Sequence, residues 1–158
     1  MNRPSWDTYF FTLAEHAASR ATCPRLSVGA VVVRGKRVLS TGYNGAPAGE
    51  PHCTHPIDVP CTQAIHAEWN ALDAQFGPYD GATMYLTHSP CQSCQRRIID
   101  AGIARVVYRT AYRDPDLTQL ERFGITVEHQ PKTPDIERFK QALRETRVVH
   151  PNWPNWPY

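Results

Sequence analysis

Apolar positions along the chain alternate between two spacings, and the changes of spacing divide it into elements. Tyr9, Phe10, Leu13, Ala14 and Ala17 recur at helical intervals behind Ser5, a good N-cap residue, so a first helix is expected that ends before Pro24. Residues 27–33 read as a strand, Arg34-Gly35-Lys36 as a tight turn, and residues 37–41 as the returning strand of a hairpin. Residues 42–60, rich in Gly and Pro, form a long loop, and loops of that length are usually functional or disordered. A helix over 64–75 follows, with His66-Ala67-Glu68 in its first turn. Then come a strand over 82–87, a helix starting at Pro90-Cys91 and reaching about Ala101, and strands over 104–108 and 125–128. A last helix is expected over 134–147. Strands alternating with helices behind a leading hairpin predict an α/β fold: a three-layer α/β/α sandwich whose mixed five-stranded sheet carries helices on both faces.

Composition narrows the partners. With 158 residues the chain fits one domain, 1–147, followed by a tail over 148–158 that holds three prolines together with Trp153 and Trp156. That tail reads either as a flexible end or as a strap docked on a neighbouring subunit. Seventeen basic against fifteen acidic residues give a net charge of +2 without a concentrated basic run, which favours a small-molecule substrate over nucleic acid. The first residues lack an apolar signal core and no stretch approaches a membrane span, so a soluble cytoplasmic protein without a membrane partner is expected. Five cysteines, an odd count, argue against a disulfide scaffold.

Two short motifs carry the chemistry. His66-Ala67-Glu68 and Pro90-Cys91-Gln92-Ser93-Cys94 together form the H-x-E and P-C-x-x-C signature known from zinc nucleobase deaminases. Three protein ligands, His66, Cys91 and Cys94, leave the fourth position of a tetrahedral zinc open to water, the mark of a catalytic rather than a structural site. Two thiolates balance the dication, and the pKa of a bound water can fall toward ~7. With a helix beginning near Pro90, both sulfurs lie on one face of its first turn, where unpaired N–H groups favour thiolate. Glu68 stays off the metal and is placed to act as a proton shuttle. Alone, H-A-E is usually an ordinary helix start, and C-x-x-C is as often a redox pair or half of a structural zinc knot. A redox pair leaves His66 and Glu68 unexplained.

The match extends beyond the ligands. Thr22-Cys23-Pro24-Arg25-Leu26-Ser27-Val28-Gly29-Ala30-Val31-Val32, Thr41-Gly42-Tyr43-Asn44-Gly45-Ala46-Pro47-Ala48-Gly49 and the span from Gly81 to Tyr108 closely resemble deoxycytidylate (dCMP) deaminases, members of the cytidine/deoxycytidylate deaminase zinc superfamily. The resemblance runs to about Tyr112. It implies a cytidine deaminase-like fold and conversion of dCMP to dUMP and ammonia in the supply of thymidylate. It also implies a homo-oligomer, a hexamer, regulated by dCTP and dTTP, with magnesium accompanying the nucleotide effectors. Position by position, it implies His66, Cys91 and Cys94 as zinc ligands and Glu68 as the shuttle. The Ala67 N–H would meet the pyrimidine carbonyl oxygen and the carbonyl near Ser89 the departing amine, while Asn44 holds sugar or base and Tyr112 lies near the nucleotide. Two departures stand out: Trp69 where the family usually has a smaller or straighter side chain, and a loop from Glu50 to Cys61 that is short for bacterial and phage members.

Some bacterial and phage relatives carry a second, closed zinc in this region, and Cys23, His52, Cys53 and Cys61, with His55 as an alternative ligand, offer four donors of suitable softness. The competing reading is three buried free thiols with surface histidines. His88 is a candidate substrate contact, whereas His16, His129 and His150 read as ordinary residues. Arg25, Lys36 and Arg113 are candidates for the phosphate. Deaminases of tRNA adenosine and of the riboflavin pathway share both motifs, though Tyr43-Asn44-Gly45 and the Cys-rich loop favour dCMP. A 5-substituted dCMP is a further alternative substrate. A zinc-stabilised regulatory protein without catalysis is the alternative of another class, and the intact Glu68 weighs against it.

Overall fold

The computed structural model describes residues 4–73 and 77–132. The helix expected over 134–147 and the tail over 148–158 lie outside them, as do residues 74–76 near the expected end of the second helix. In chain order the elements are α1 (Trp6–Ala18), β1 (Gly29–Arg34), β2 (Arg37–Tyr43), α2 (Ala67–Ala71), β3 (Thr83–His88), α3 (Gln92–Asp100), β4 (Arg105–Thr110), α4 (Thr118–Arg122) and β5 (Thr126–His129). The five expected strands are present, each displaced by no more than two residues at either end.

The strands form one sheet in the order β2-β1-β3-β4-β5. β1 runs antiparallel to both β2 and β3, while β3, β4 and β5 are mutually parallel, so the sheet is mixed. Alternate residues of each strand serve opposite layers. Val31, Val33, Tyr85 and Val107 pack with Phe10, Phe11 and Ala14 of α1. Ala30, Val32, Met84, Leu86, Val106 and Tyr108 pack on the other side with Ala67 and Ala71 of α2, Ile98 of α3 and Leu120 of α4. Helices therefore cover both faces, as the alternation of elements predicts.

Ser5 caps α1 as expected, its hydroxyl accepting the Thr8 N–H at 3.1 Å. The buried face of α1 differs from the expected one. Phe10, Phe11, Ala14 and Ala18 face inward, whereas Tyr9 is 43% exposed and Ala17 only partly covered. The contact with β1 decides this rotation, because Gly29 lets the Ala14 backbone approach so closely that a Cβ there would fall 1.9 Å from its oxygen. α4 carried no periodic signal, being five residues long with only Leu120 buried; the Asp116 carboxylate accepts the Thr118 N–H at 3.1 Å and starts it.

Close approach also seats α2. A Cβ at Gly42 would lie 2.2 Å from the Ala67 oxygen and 2.5 Å from the Ala71 nitrogen, both backbone atoms that cannot swing aside. Gly42→Ala should therefore lift α2 from the sheet, costing about 1–3 kcal/mol, the scale of overpacking, and displacing Glu68. Urea unfolding together with activity checks this, and unchanged values of both would contradict the close seating. α2 starts later than expected because Ile65 pairs with Gly45 in an isolated antiparallel bridge, leaving His66 as the N-cap.

On the α1 face Arg105 bridges Glu128 (2.7 Å) and Asp7 (3.3 Å), and Asp7 also accepts from Tyr85 and Gln130. Burial pushes the Asp7 carboxyl up, but these hydrogen bonds outweigh it and hold the group below its ordinary range; the Arg105 hydrogen bond does the same for Glu128. Carboxyls depressed on folding contribute stability that is complete above their unfolded pKa, about 4, and lost as pH falls through the lower folded values. The stability difference between wild type and Arg105→Met should accordingly shrink as pH is lowered from about 5 toward 2. A difference independent of pH in urea titrations would remove this cluster from the acid response.

Candidate functional site

The topology brings four chain segments to one edge of the sheet. The start of β1, the end of β2 and the C-terminal ends of parallel β3 and β4 all lie there, since Gly29 pairs with Tyr43, Ala30 with Leu86, and His88 with Thr110. Ligands of α/β sheets characteristically bind beyond the carboxyl ends of the parallel strands. A cleft opens at this edge, lined by Glu68 and His66 from the start of α2, Cys91 from the start of α3, His88 and Ser89 from the end of β3, and Tyr112 beyond β4. Asn44, Arg25, Val28 and two further cysteines, Cys23 and Cys61, complete the opposite wall.

At the floor, His66 Nδ1 lies 3.2 Å from Cys94 Sγ and 3.5 Å from Cys91 Sγ, and the three donor atoms fall within 4.8 Å of one another. Zn–S and Zn–N bonds of about 2.3 and 2.0 Å at tetrahedral angles separate such donors by about 3.6 Å, so the trio fits zinc in distance as well as donor type. His66 and Cys91 are the N-caps of α2 and α3, and Cys94 sits one turn into α3 with its thiol buried. The two thiols are pushed in opposite directions. The hydrogen bond between them holds Cys91 down to about 3 and pushes Cys94 well above the ordinary thiol range, while Cys91 raises the His66 imidazole.

Glu68 is 4% exposed, and burial pushes its carboxyl above the usual range. It lies in the first turn of α2, outside the trio, where it can exchange a proton with a group bound in the cleft. Ala67 is fully buried at the first position of the same helix, where backbone N–H groups have no intrahelical acceptor. Ser89 is fixed twice: its N–H donates to the Thr110 oxygen at 2.9 Å, and its hydroxyl accepts the Tyr112 N–H at 2.8 Å. The Asn44 side chain accepts from the Val28 N–H at 2.7 Å and donates to the Leu26 oxygen at 2.8 Å, tying the β1 entry to the cleft wall.

Of the three candidate phosphate cations, the structure puts Arg25 on the cleft, donating to the Tyr112 hydroxyl at 2.8 Å. Arg113 stacks on the Tyr112 ring, 5.4 Å from its centroid, with a left-handed backbone (φ 57°) that turns the chain there. Lys36 sits at the far turn of the β1–β2 hairpin over Trp6, roughly 20 Å away by strand rise, and does not belong to the cleft. His88 does line the cleft, and its Nδ1 meets the Thr87 hydroxyl, which itself accepts the Gly29 N–H. Burial, aided by the charge of Lys132, lowers its pKa. Trp69 points outward, 44% exposed and covered by Arg97, so this departure from the family pattern leaves the cleft untouched. Leu26 and Val28 lie within the motif that carries the family resemblance but were given no site role there; the structure makes them an apolar part of the cleft wall, just before β1 begins at Gly29.

A second group of donors stands beside the first. Cys23, Cys53, His55 and Cys61 lie within 4.8 Å of one another, with Cys61 Sγ 3.6 Å from Cys53 Sγ and Cys23 Sγ 3.5 Å from His55 Nε2. His52, the first choice by sequence, is not among them. Burial alternates along this loop, with Cys53 and His55 turned inward and His52 and Thr54 outward, so the alternative His55 supplies the nitrogen donor. Three thiols and an imidazole at these separations suit a closed tetrahedral zinc. Burial pushes the Cys53 thiol up to about 11. It acts the same way on Cys61, but the Ala64 and Gln63 N–H groups with Cys53 and His55 outweigh it and bring Cys61 down to about 6.

Comparison with known proteins agrees with this geometry. Residues 4–110 match the cytidine and deoxycytidylate deaminase zinc-binding region. The chain is 47% identical over 137 residues to the ComE operon protein 2 of Bacillus subtilis (strain 168), covering 81% of this chain and 72% of that protein. It is 43% identical over 126 residues to the deoxycytidylate deaminase of Mycobacterium phage D29, covering 68% and 97%. The dCMP deaminase of cyanophage S-TIM5, solved in complex with dCMP and dUMP, superposes with a TM-score of 0.75 at 34% identity, covering 82% of this chain and all of that one.

Proposed function

Because the chain belongs to the cytidine and deoxycytidylate deaminase zinc-binding family, we propose that it hydrolyses dCMP to dUMP and ammonia. The observation that carries this reading is a single cleft that joins a buried carboxyl, Glu68, to the His66/Cys91/Cys94 trio and to Arg25. Likeness to the phage enzyme solved with dCMP and dUMP supports the choice of nucleotide.

Zinc held by His66, Cys91 and Cys94 supplies, when bound, the Lewis acidity that makes water nucleophilic at neutral pH. The side chains do the rest. Glu68 takes a proton from the water that attacks C4 and gives it to ring N3. It then carries the second proton to the exocyclic amine, which leaves as ammonia when the C4–N bond breaks. Burial favours its protonated form, so it can hold the proton between these steps. The Ala67 N–H donates to the pyrimidine carbonyl oxygen, and the Ser89 carbonyl accepts from the departing amine. Asn44, already immobilised by Leu26 and Val28, holds the sugar. Arg25, oriented by Tyr112, takes the phosphate.

The Cys23/Cys53/His55/Cys61 group holds a second, structural zinc, a reading supported by its donor set and spacing. The free thiols suit a reducing cytoplasm, and among the described residues no helix is long and apolar enough to cross a membrane. The family resemblance supports a hexamer regulated by dCTP and dTTP with magnesium. The dCMP saturation curve should then be sigmoidal and move in opposite directions with the two effectors, by a coupling of about 1–3 kcal/mol. Hyperbolic kinetics indifferent to both would detach regulation from catalysis.

A spectrophotometric panel of dCMP, 5-substituted dCMP, cytidine nucleosides and adenosine substrates tests the assignment. It should return dCMP as the best substrate; a preference for any other member would replace it.

A further inference from the structure

The two donor groups share a wall. Cys23 and Cys61 belong to the second group and also line the cleft that holds Glu68 and His66. Arg25 lies two residues beyond Cys23, in a segment without regular secondary structure between α1 and β1. This segment is fastened on both sides of Arg25. Upstream, the Thr22 N–H donates to the Asn44 oxygen (3.1 Å) and the Thr22 hydroxyl accepts the Ala46 N–H (3.2 Å); downstream, Leu26 and Val28 are held by the Asn44 side chain. Between these fasteners Arg25 itself donates to the Tyr112 hydroxyl at 2.8 Å, and the tie to the rest of the second group is Cys23, whose sulfur faces His55, from the long loop that also carries Cys53 and Cys61. The far end of that loop is locked to Gly45 by Ile65, one residue before His66.

Resting on the proposed nucleotide deaminase reading, we infer that zinc in the Cys23/Cys53/His55/Cys61 cluster positions Arg25, and so sets the affinity of the cleft for the phosphate of its nucleotide. The ion would join Cys23 to three donors of the 53–61 loop, turning a coil held by hydrogen bonds into a fixed strut under the guanidinium. Preorganisation of this kind acts on the group that Arg25 grips. It leaves the base, held by Glu68, Ala67 and Ser89, largely unaffected. Cys23 is thus a positioning residue, and cluster occupancy would make nucleotide affinity respond to zinc supply.

The test compares wild type, His55→Ala, His55→Cys, Cys53→Ser and Arg25→Ala for zinc content and for calorimetric affinity toward dUMP and deoxyuridine. His55→Ala should lose one of two zinc ions and bind dUMP at least ~10-fold more weakly, with deoxyuridine affinity and kcat at saturating dCMP within about threefold of wild type. His55→Cys, which keeps four soft donors, should restore both the metal and the affinity. Adding Arg25→Ala to His55→Ala should cost little more than either change alone, since both act through one contact. Cys53→Ser provides the same reading from a second ligand if His55→Ala fails to fold. Loss of one zinc with dUMP affinity unchanged, or equal weakening for dUMP and deoxyuridine, would overturn the coupling. Failure of the wild-type protein to bind dUMP would instead overturn the nucleotide reading on which the inference stands.

Discussion

Glu68→Ala should retain zinc at His66, Cys91 and Cys94 yet lower turnover of dCMP by at least ~10²-fold, the scale for losing a positioned acid–base group. The expectation follows from placement. Glu68 is buried beside the trio without being part of it, so its removal takes away the proton carrier and leaves the donor atoms. His66→Ala and Cys91→Ser should behave differently and lose metal and activity together, because two donors are too few for a stable catalytic site. Metal analysis beside steady-state kinetics separates the two outcomes. Near-normal turnover in Glu68→Ala would remove it from the proton path.

The second large effect concerns the phosphate. Activity on dCMP should exceed that on deoxycytidine by at least ~10²-fold in kcat/KM, since a cleft that offers Arg25 to a phosphate leaves that cation unpaired when the phosphate is absent. Arg25→Ala should remove most of this preference, lowering kcat/KM for dCMP while scarcely changing it for deoxycytidine. Lys36→Ala, at the distant hairpin turn, should do neither. Equal rates on nucleoside and nucleotide in the wild type would overturn the substrate class.

The parts legible from sequence were those encoded by local spacing. The trio with its proton carrier needs only His66–Glu68 at i, i+2 and Cys91–Cys94 at i, i+3 near two helix starts, and although α2 begins later than its periodicity suggests, His66 and Cys91 both stand at helix N-caps. The strands announce themselves through β-branched runs, and the Ser5 cap through a single hydroxyl. What stayed illegible depends on contacts between distant segments. The inward face of α1 is chosen by the missing side chain of Gly29 on a strand across the interface, so Phe11 rather than Tyr9 is buried. Arg25 and Tyr112, 87 positions apart, meet only because β1 enters the sheet where β4 leaves it. His55 takes precedence over His52 through the inward turn of one loop residue, a choice that ligand counting cannot make. α4 is too short for any periodicity to emerge.

The central claim, hydrolytic removal of the amine from dCMP, is met most directly by incubating the zinc-loaded protein with dCMP in water enriched in oxygen-18 and following nucleotide and ammonia together. The predicted result is dUMP carrying one heavy oxygen on C4, with one equivalent of ammonia for each dUMP. Absence of conversion by the zinc-loaded protein, or dUMP formed without the heavy oxygen, would contradict the account.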